Sequence, residues 1–375
     1  MSPSASQEHA HAAGLGYRPA LDGIRAVAIA CVVLNHTFGF PATGFTGVDV
    51  FFVLSGFLIT TLLLDEYARA GRVSLLDFYR RRALRLLPAL FVLLGVFLAY
   101  SVGSAVVRGG SLDEALFGVA AGIGYFSNIA MAAEPSSLEM PNALRHLWSL
   151  AIEEQFYLLW PPILFLLLRA RLRLAMVVLA AGIVLSAAQQ VRLTLDGASD
   201  ARVAFGTDTR ITSILIGCML AALLATAARS RVESLGKTLA PLVLSCFLAL
   251  LFIAPDLTFF TPWVLLLGLS AAGLILRALD GGSLLARALS LRPMVFLGRI
   301  SYSLYLWHIP VYVALGVGTT AELMDIPALG LALACAIASY YLVELPFLRR
   351  KRRARASNEA GAAPPAIPAL SPIGS

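Results

Sequence analysis

Arg25 and His36 stand eleven residues apart in the first apolar segment of the chain. In an α-helix, that spacing brings two side chains to within about 20° of the same face and separates them by roughly 16 Å along the axis. A histidine takes a proton from a hydroxyl near neutral pH, and a guanidinium binds phosphate or carboxylate. The pair therefore predicts one helix face with an anion-binding group at one end and a base at the other.

Two later apolar segments also carry polar side chains at helical spacing. These residues are His146, Trp148, Ser149, Glu153 and Glu154 in one segment, and Ser301, Tyr302, Tyr305 and His308 in the other. Positions three, four or seven apart share a face of an α-helix, so each set predicts a polar stripe. Aromatic residues alone would indicate a membrane interface, but embedded histidine, hydroxyl and carboxylate groups favour a lined cavity.

The composition of the chain determines what surrounds these stripes. Of its 375 residues, 59% are hydrophobic and only 14% are charged, with a mean hydropathy of +0.81. A soluble domain of this length does not carry so much apolar surface, so the sequence predicts an all-α, polytopic membrane protein. The net charge of +7 is then explained by membrane orientation and anionic lipid headgroups, without nucleic acid.

Eleven apolar runs are candidates for membrane spans. The run at 115–133 is interrupted by glycine, serine and asparagine and predicts a re-entrant or interfacial segment, which leaves about ten transmembrane helices. The arginine-rich loop 65–85 and the basic C-terminal tail place both termini in the cytoplasm of a multi-pass inner (plasma) membrane protein. A polar tail (1–17) precedes the predicted membrane domain (18–350), and a basic, then disordered, tail (351–375) follows it.

Further embedded polar residues extend the set of candidates. They are Asn35, Asp49, Ser55, Arg82, Arg85 and Glu344. Arg82 and Arg85 share a helix face where a phosphorylated donor would arrive, although membrane anchoring explains them equally well. Asp49 would hold His36 or an arginine, or serve as a carboxylate at a helix start. The four cysteines have no ligand spacing, so no disulfide framework or metal site is predicted.

Five motifs, in their order along the chain, resemble those of the acyltransferase-3 family of integral membrane acyltransferases. They are LDGIRAVAIACVVLNH at 21–36, GVDVFFVLSGFLIT at 47–60, FYRRRALRLLP at 78–88, HLWSLAIEEQFYLLWP at 146–161 and GRISYSLYLWHIP at 298–310. GTDTR at 206–210 resembles a further family motif and adds Asp208 and Arg210 to the candidate site. The resemblance extends from about Tyr17 to Arg350.

The resemblance implies a ten-span fold that transfers an acyl group from cytoplasmic acyl-CoA to a hydroxyl, usually on a carbohydrate, with Arg25 and His36 essential. Acetyl-CoA or another acyl-CoA is then the donor substrate, and no permanently bound cofactor is expected. Many family members carry a C-terminal extracytoplasmic hydrolase-like domain, whereas this sequence ends soon after its last predicted span. Either the membrane part acts directly on its acceptor or a separate extracytoplasmic partner completes the transfer.

This chemistry assigns roles to the polar residues. His36 is the predicted general base, because a hydroxyl is a poor nucleophile at neutral pH. Glu153 or Asp49 would orient His36 or bind sugar hydroxyls. The predicted partners of the phosphates of acyl-CoA at the inner rim are Arg25, Arg82 and Arg85. The candidate donors to the thioester oxygen are Asn35, Ser55, Ser301 and Tyr302. Direct transfer and a covalent acyl-histidine step both stay open.

The sequence leaves alternatives open both for the acceptor of the acyl group and for the class of protein. A cell-envelope glycan, a lipid-linked sugar and the sugar of a small natural product are all compatible acceptors. The alternative class is a transporter of sugars or glycolipids, in which the embedded ionisable residues relay protons. Such a transporter would show paired broken helices in its two halves, and GFPATG at 39–44 has no counterpart half a chain later. A catalytically inactive scaffold is a second alternative.

Overall fold

The computed structural model describes residues 16–133, 139–252, 261–317 and 325–349. Within these ranges the chain is helical and contains no strand, so the prediction of an all-α protein is confirmed. The predicted C-terminal tail, and all but the last two residues of the predicted N-terminal tail, lie outside the described residues.

The described helices follow one another with short connections. They are α1 (Pro19–Phe38), α2 (Gly47–Ala70), α3 (Leu75–Arg108), α4 (Asp113–Ile123), α5 (Ser127–Ala132), α6 (Leu147–Ala170), α7 (Leu172–Leu195), α8 (Asp200–Phe205), α9 (Thr207–Leu224), α10 (Arg229–Phe252), α11 (Thr261–Leu279), α12 (Leu284–Leu289), α13 (Arg292–Leu315) and α14 (Asp325–Ser339). Short 3₁₀ turns stand at Gly44–Thr46 and Asn142–Leu144, and a π-helical turn, Tyr340–Glu344, continues α14. The π turn buries Glu344.

Eight helices in the described ranges are long and apolar enough to cross a membrane. They account for eight of the predicted spans, which supports a polytopic membrane protein. The two remaining predicted spans are α11 and α13. The first, α11, has a shorter apolar stretch, Trp263–Leu279. The second, α13, carries the polar stripe from Ser301 to His308, which lowers its hydropathy.

The run at 115–133, which was predicted not to cross, folds as the two short helices α4 and α5. Polar side chains connect it to its neighbours: Asn128 donates to Thr207 Oγ1 at 2.9 Å, and Gln155 donates to Asn128 Oδ1 at 2.9 Å. Thr207 in turn donates to Gln155 Oε1 at 2.7 Å. Amide and hydroxyl groups within a membrane need such partners, because lipid offers none.

Close backbone contacts pair α2 with α9 and α1 with α13. A Cβ at Gly56 would collide with the carbonyl of Ile214, and one at Gly217 would collide with the carbonyl of Val53. Gly298 of α13 lies equally close to the backbone of Asp22 in α1. Small residues at such crossings let membrane helices pack by van der Waals contact. The second pair places the helix of Arg25 and His36 beside the helix of Ser301, Tyr305 and His308.

Candidate active site

The three histidines that the structure describes converge at one end of the helix bundle. His36 lies near the end of α1, His146 directly before α6 and His308 in α13. The ring centroids of His36 and His308 are 5.3 Å apart, and those of His146 and His308 are 5.5 Å apart. His146 and His308 are buried, whereas His36 is partly exposed. The sequence predicts each histidine as a separate site residue, and the fold assembles them into one histidine cluster.

Tyr305 joins the histidine cluster to a neighbouring cavity. Its ring centroid lies 5.4 Å from that of His146 and 5.5 Å from that of His308. Its hydroxyl donates to the backbone carbonyl of His146 at 2.5 Å and lies 2.6 Å from Ser149 Oγ. The tyrosine hydroxyl has one proton and donates it in the hydrogen bond to the carbonyl. The hydrogen bond between the two hydroxyls therefore has Ser149 as its donor. Both hydroxyls are thereby held at the cavity wall.

The cavity, with the solvent at its mouth included, holds about 710 Å³ of empty space and is walled by α1, α2, α3, α6 and α13. Its lining residues are Arg25, Val48, Phe51, Phe52, Leu54, Ser55, Arg82, Arg85, Leu86, Ser149, Leu150, Glu153, Tyr157, Ser301, Tyr302 and Tyr305. Nine of the predicted site residues are among them, and each of the five helices contributes at least one of the nine. The apolar remainder offers a surface for a hydrocarbon or pantetheine-like chain.

Three arginines gather at the end of the cavity away from the histidines. Arg25 forms an ion pair with Asp22, with Nη1 3.0 Å from Oδ1. Arg82 lies 3.6 Å from Glu154 and stacks on the ring of Tyr157 with its guanidinium carbon 3.7 Å from the centroid. The third is Arg85, which lies close enough to Arg25 and Arg82 to interact electrostatically with both. We call Arg25, Arg82 and Arg85 the arginine end; guanidinium groups at a cavity wall present hydrogen-bond donors that fit phosphate or carboxylate oxygens.

Two carboxylates lie against this end from other helices. Glu153 accepts a hydrogen bond from Ser55 and feels the charges of Arg82 and Arg85. Glu344, buried in the π turn, accepts a hydrogen bond from Ser303 and lies close enough to Arg85 to interact with it. With Asp22 and Glu154, they place four carboxyl groups beside the three guanidinium groups, so the charges at this end are balanced within the protein.

Several predicted site residues lie outside the cavity lining in ion pairs between helices. Asp49 takes an arginine, not His36, as its partner: it lies 2.7 Å from Arg210 and accepts from Ser213 at 2.9 Å, so both carboxylate oxygens are engaged. Asp208 is bound by Arg202 at 2.7 and 2.9 Å. A charge within the membrane is costly unless it is paired, which is the physical reason for these contacts.

Two other predicted site residues also have local partners. Asn35 donates to the backbone carbonyls of Pro41 and Ala42 at 2.9 and 3.2 Å, which holds the loop after α1. Trp148 packs edge-on against Phe52, and the guanidinium of Arg210 lies 5.7 Å from its ring. The catalytic roles assigned to the site residues stay predictions. The contacts do distinguish the residues that line the cavity from those that hold the surrounding helices and loops.

Two contributors to the arginine end were not predicted from the sequence. Tyr157 follows Glu153 by four residues and so extends the stripe of α6, a signal that helical periodicity contained. Asp22 precedes Arg25 by three residues, a spacing at which opposite charges on a helix meet. Tyr17 also donates to Asp22, at 2.9 Å, and Arg299 donates to Tyr17. The hydrogen bond from Arg299 joins α13 to the residues just before α1 and was not visible in the sequence.

Comparison with known proteins decides the family. A family profile described as an acyltransferase domain matches residues 18–344, most of the chain and all of the walls of the cavity. The chain belongs to the acyltransferase-3 family. The chain is 35% identical over 313 residues to O-acetyltransferase OatA of Staphylococcus aureus, covering 79% of this chain and 51% of that protein.

A second relative of the chain is peptidoglycan O-acetyltransferase OatA of Listeria monocytogenes. The two are 32% identical over 349 residues, which cover 88% of this chain and 54% of the relative. The chain thus spans about half the length of these curated relatives. No solved structure gives a significant match.

Proposed function

We propose that this acyltransferase transfers an acetyl or other short acyl group from acyl-CoA to a hydroxyl of a cell-envelope carbohydrate, with peptidoglycan as the first acceptor to test. The carrying observation is the cavity that joins the arginine end to Tyr305 and the histidine cluster. Guanidinium groups suit the phosphates of CoA, and an imidazole suits the removal of a hydroxyl proton. Relatives that acetylate peptidoglycan favour a glycan over the sugar of a natural product, and family membership favours acyl transfer over transport.

The transfer itself needs one bond to form and one to break. The acceptor oxygen bonds to the acyl carbon while its proton goes to His36, and the carbon–sulfur bond breaks with its electron pair on sulfur. Charge that develops on the thioester oxygen needs a donor. Ser55 and Tyr302 already donate to Glu153 and to the carbonyl of Leu86, and Asn35 holds a loop. Ser301, the fourth candidate, lines the cavity and has no hydrogen-bond partner among the described residues.

Replacing Arg82 by glutamine is expected to raise KM for acetyl-CoA by roughly tenfold to a hundredfold, with a smaller effect on kcat. The variant loses one charge-assisted hydrogen bond to the donor, which is worth about 1.5–3 kcal/mol. The measurement is release of CoA thiol by purified protein in proteoliposomes, with soluble peptidoglycan fragments as the acceptor. Arg81→Gln is the matched control. Arg81 directly precedes Arg82 in the chain, but its side chain is 41% exposed and pairs with Glu66 away from the cavity.

Two outcomes would contradict the proposal. One is a wild-type protein that releases no CoA with any short acyl-CoA; the other is an unchanged KM in Arg82→Gln. Ester formation on the glycan by the purified chain alone would indicate direct transfer. CoA release that yields a glycan ester only when a second protein is added would indicate an extracytoplasmic partner.

We infer that both termini are cytoplasmic, which places the arginine end on the side of the acyl-CoA pool and His36 towards the other side. The arginine-rich connection after α2 supports this orientation. In a cysteine-free background, an impermeant maleimide should label Ala42→Cys in intact cells and Arg72→Cys only after permeabilisation. Both positions are exposed. The reverse labelling pattern would overturn the orientation.

A further inference from the structure

His308 lies at the centre of the histidine cluster and has no exposed surface. Its Nδ1 is 2.7 Å from the carbonyl oxygen of Tyr305 and 3.2 Å from that of Leu304. Carbonyl oxygens only accept hydrogen bonds, so Nδ1 carries a proton and the neutral ring has its lone pair at Nε2. That Nε2 is buried and has no hydrogen-bond partner among the described residues.

A buried acceptor without a partner is costly, and such groups in native proteins need an explanation. The ring is also held firmly, because Tyr312 packs edge-on against it with centroids 5.9 Å apart. The Tyr312 hydroxyl lies 2.6 Å from Thr37 Oγ1, in the residue directly after His36. The contact joins α1 to α13 at the level of the two histidines, so His36 and His308 keep their relative position.

We propose that His308 is a relay residue that takes up, at Nε2, the proton that His36 removes from the acceptor hydroxyl. The inference rests on the proposed function. The His308 ring is held, whereas His36 is partly exposed, so with ring centroids 5.3 Å apart a rotation of the His36 side chain brings one of its nitrogens towards hydrogen-bond distance of Nε2. The two carbonyl oxygens at Nδ1 stabilise the imidazolium that forms, since a charged donor makes the stronger hydrogen bond.

The proton balance of the relay closes within the reaction. The hydroxyl proton passes to His36 as the new carbon–oxygen bond forms, and then to Nε2 of His308, which returns His36 to its neutral form. The sulfur keeps the electron pair of the broken carbon–sulfur bond, and the proton moves on from His308 to that thiolate, so CoA leaves as the thiol. Both histidines end the cycle neutral.

The test compares His308→Phe with His308→Gln in the CoA-release assay. Phenylalanine keeps a ring in the packing and removes both nitrogens, whereas glutamine keeps a hydrogen-bonding group. We expect both variants to lower kcat about a hundredfold, because neither side chain takes up a proton near neutral pH, with KM for acetyl-CoA unchanged because the arginine end is intact. Trp307→Phe is the matched control: it removes a neighbouring buried ring nitrogen that also has no partner among the described residues, and kcat should stay at the wild-type value.

A double variant separates a relay from an independent effect. If His308 acts through His36, the His36→Gln/His308→Phe protein should be no slower than His36→Gln alone. Wild-type kcat in His308→Phe, or losses that multiply in the double variant, would overturn the relay. A thermal shift with acetyl-CoA shows that each variant is folded; if His308→Phe lacks the shift, His308→Gln decides by the same criteria. Equal activity of His36→Gln and wild type would instead refute the proposed function.

Discussion

Replacing His36 by glutamine is expected to lower kcat for acyl transfer by about 10²- to 10⁴-fold, the range that a positioned general base contributes. Glutamine is of similar size and polarity but does not take up a proton near neutral pH. KM for acetyl-CoA should stay the same, because His36 lies outside the cavity lining, at the opposite end of α1 from Arg25. The measurement is the rate of CoA thiol release together with ester formation on the glycan.

Arg25→Gln is the informative companion of this variant. The two residues lie on one face of one helix, so the variants share their local environment but should fail differently: Arg25→Gln raises KM for the donor, and His36→Gln lowers kcat. Unaltered kcat in His36→Gln would remove the histidine from the reaction. A raised donor KM in that variant would place donor recognition at the histidine cluster instead of the arginine end.

Replacing Asp49 by leucine is expected to destabilise the fold by about 3–5 kcal/mol, because Arg210 would be left as an uncompensated buried charge. The two side chains are only 3% and 2% exposed. The expected result is a large loss of folded protein from the membrane, measured as thermal unfolding and yield in detergent. The folded fraction should keep wild-type kcat, since neither residue lines the cavity.

The double variant Asp49→Leu/Arg210→Met is expected to regain most of the lost stability, because it removes both charges together. Glu233→Leu is the control: its partner Arg229 and Glu233 itself are about half exposed, and such pairs contribute about 0–1 kcal/mol. A stable Asp49→Leu protein with greatly reduced kcat would return Asp49 to the catalytic role that the sequence analysis gave it.

Much of the site was predictable from the sequence because its signals are local. Membrane insertion follows from composition, and the stripes of α1, α6 and α13 follow from helical periodicity, which depends only on residue spacing. The ordered motifs predicted the acyltransferase-3 family, which the comparison confirmed over residues 18–344. Broken hydropathy at 115–133 predicted a segment that does not cross, and it folds as two short helices.

The tertiary structure decided which stripes face one another. His36, His146 and His308 are more than a hundred residues apart along the chain, and their meeting depends on how three helices pack. Asp49 was predicted to hold His36 or an arginine, and the close crossing of α2 with α9 at Gly56 and Gly217 brings Arg210 to it. Periodicity specifies the face of a helix but not the helix that covers it, because that choice depends on side-chain packing between distant segments.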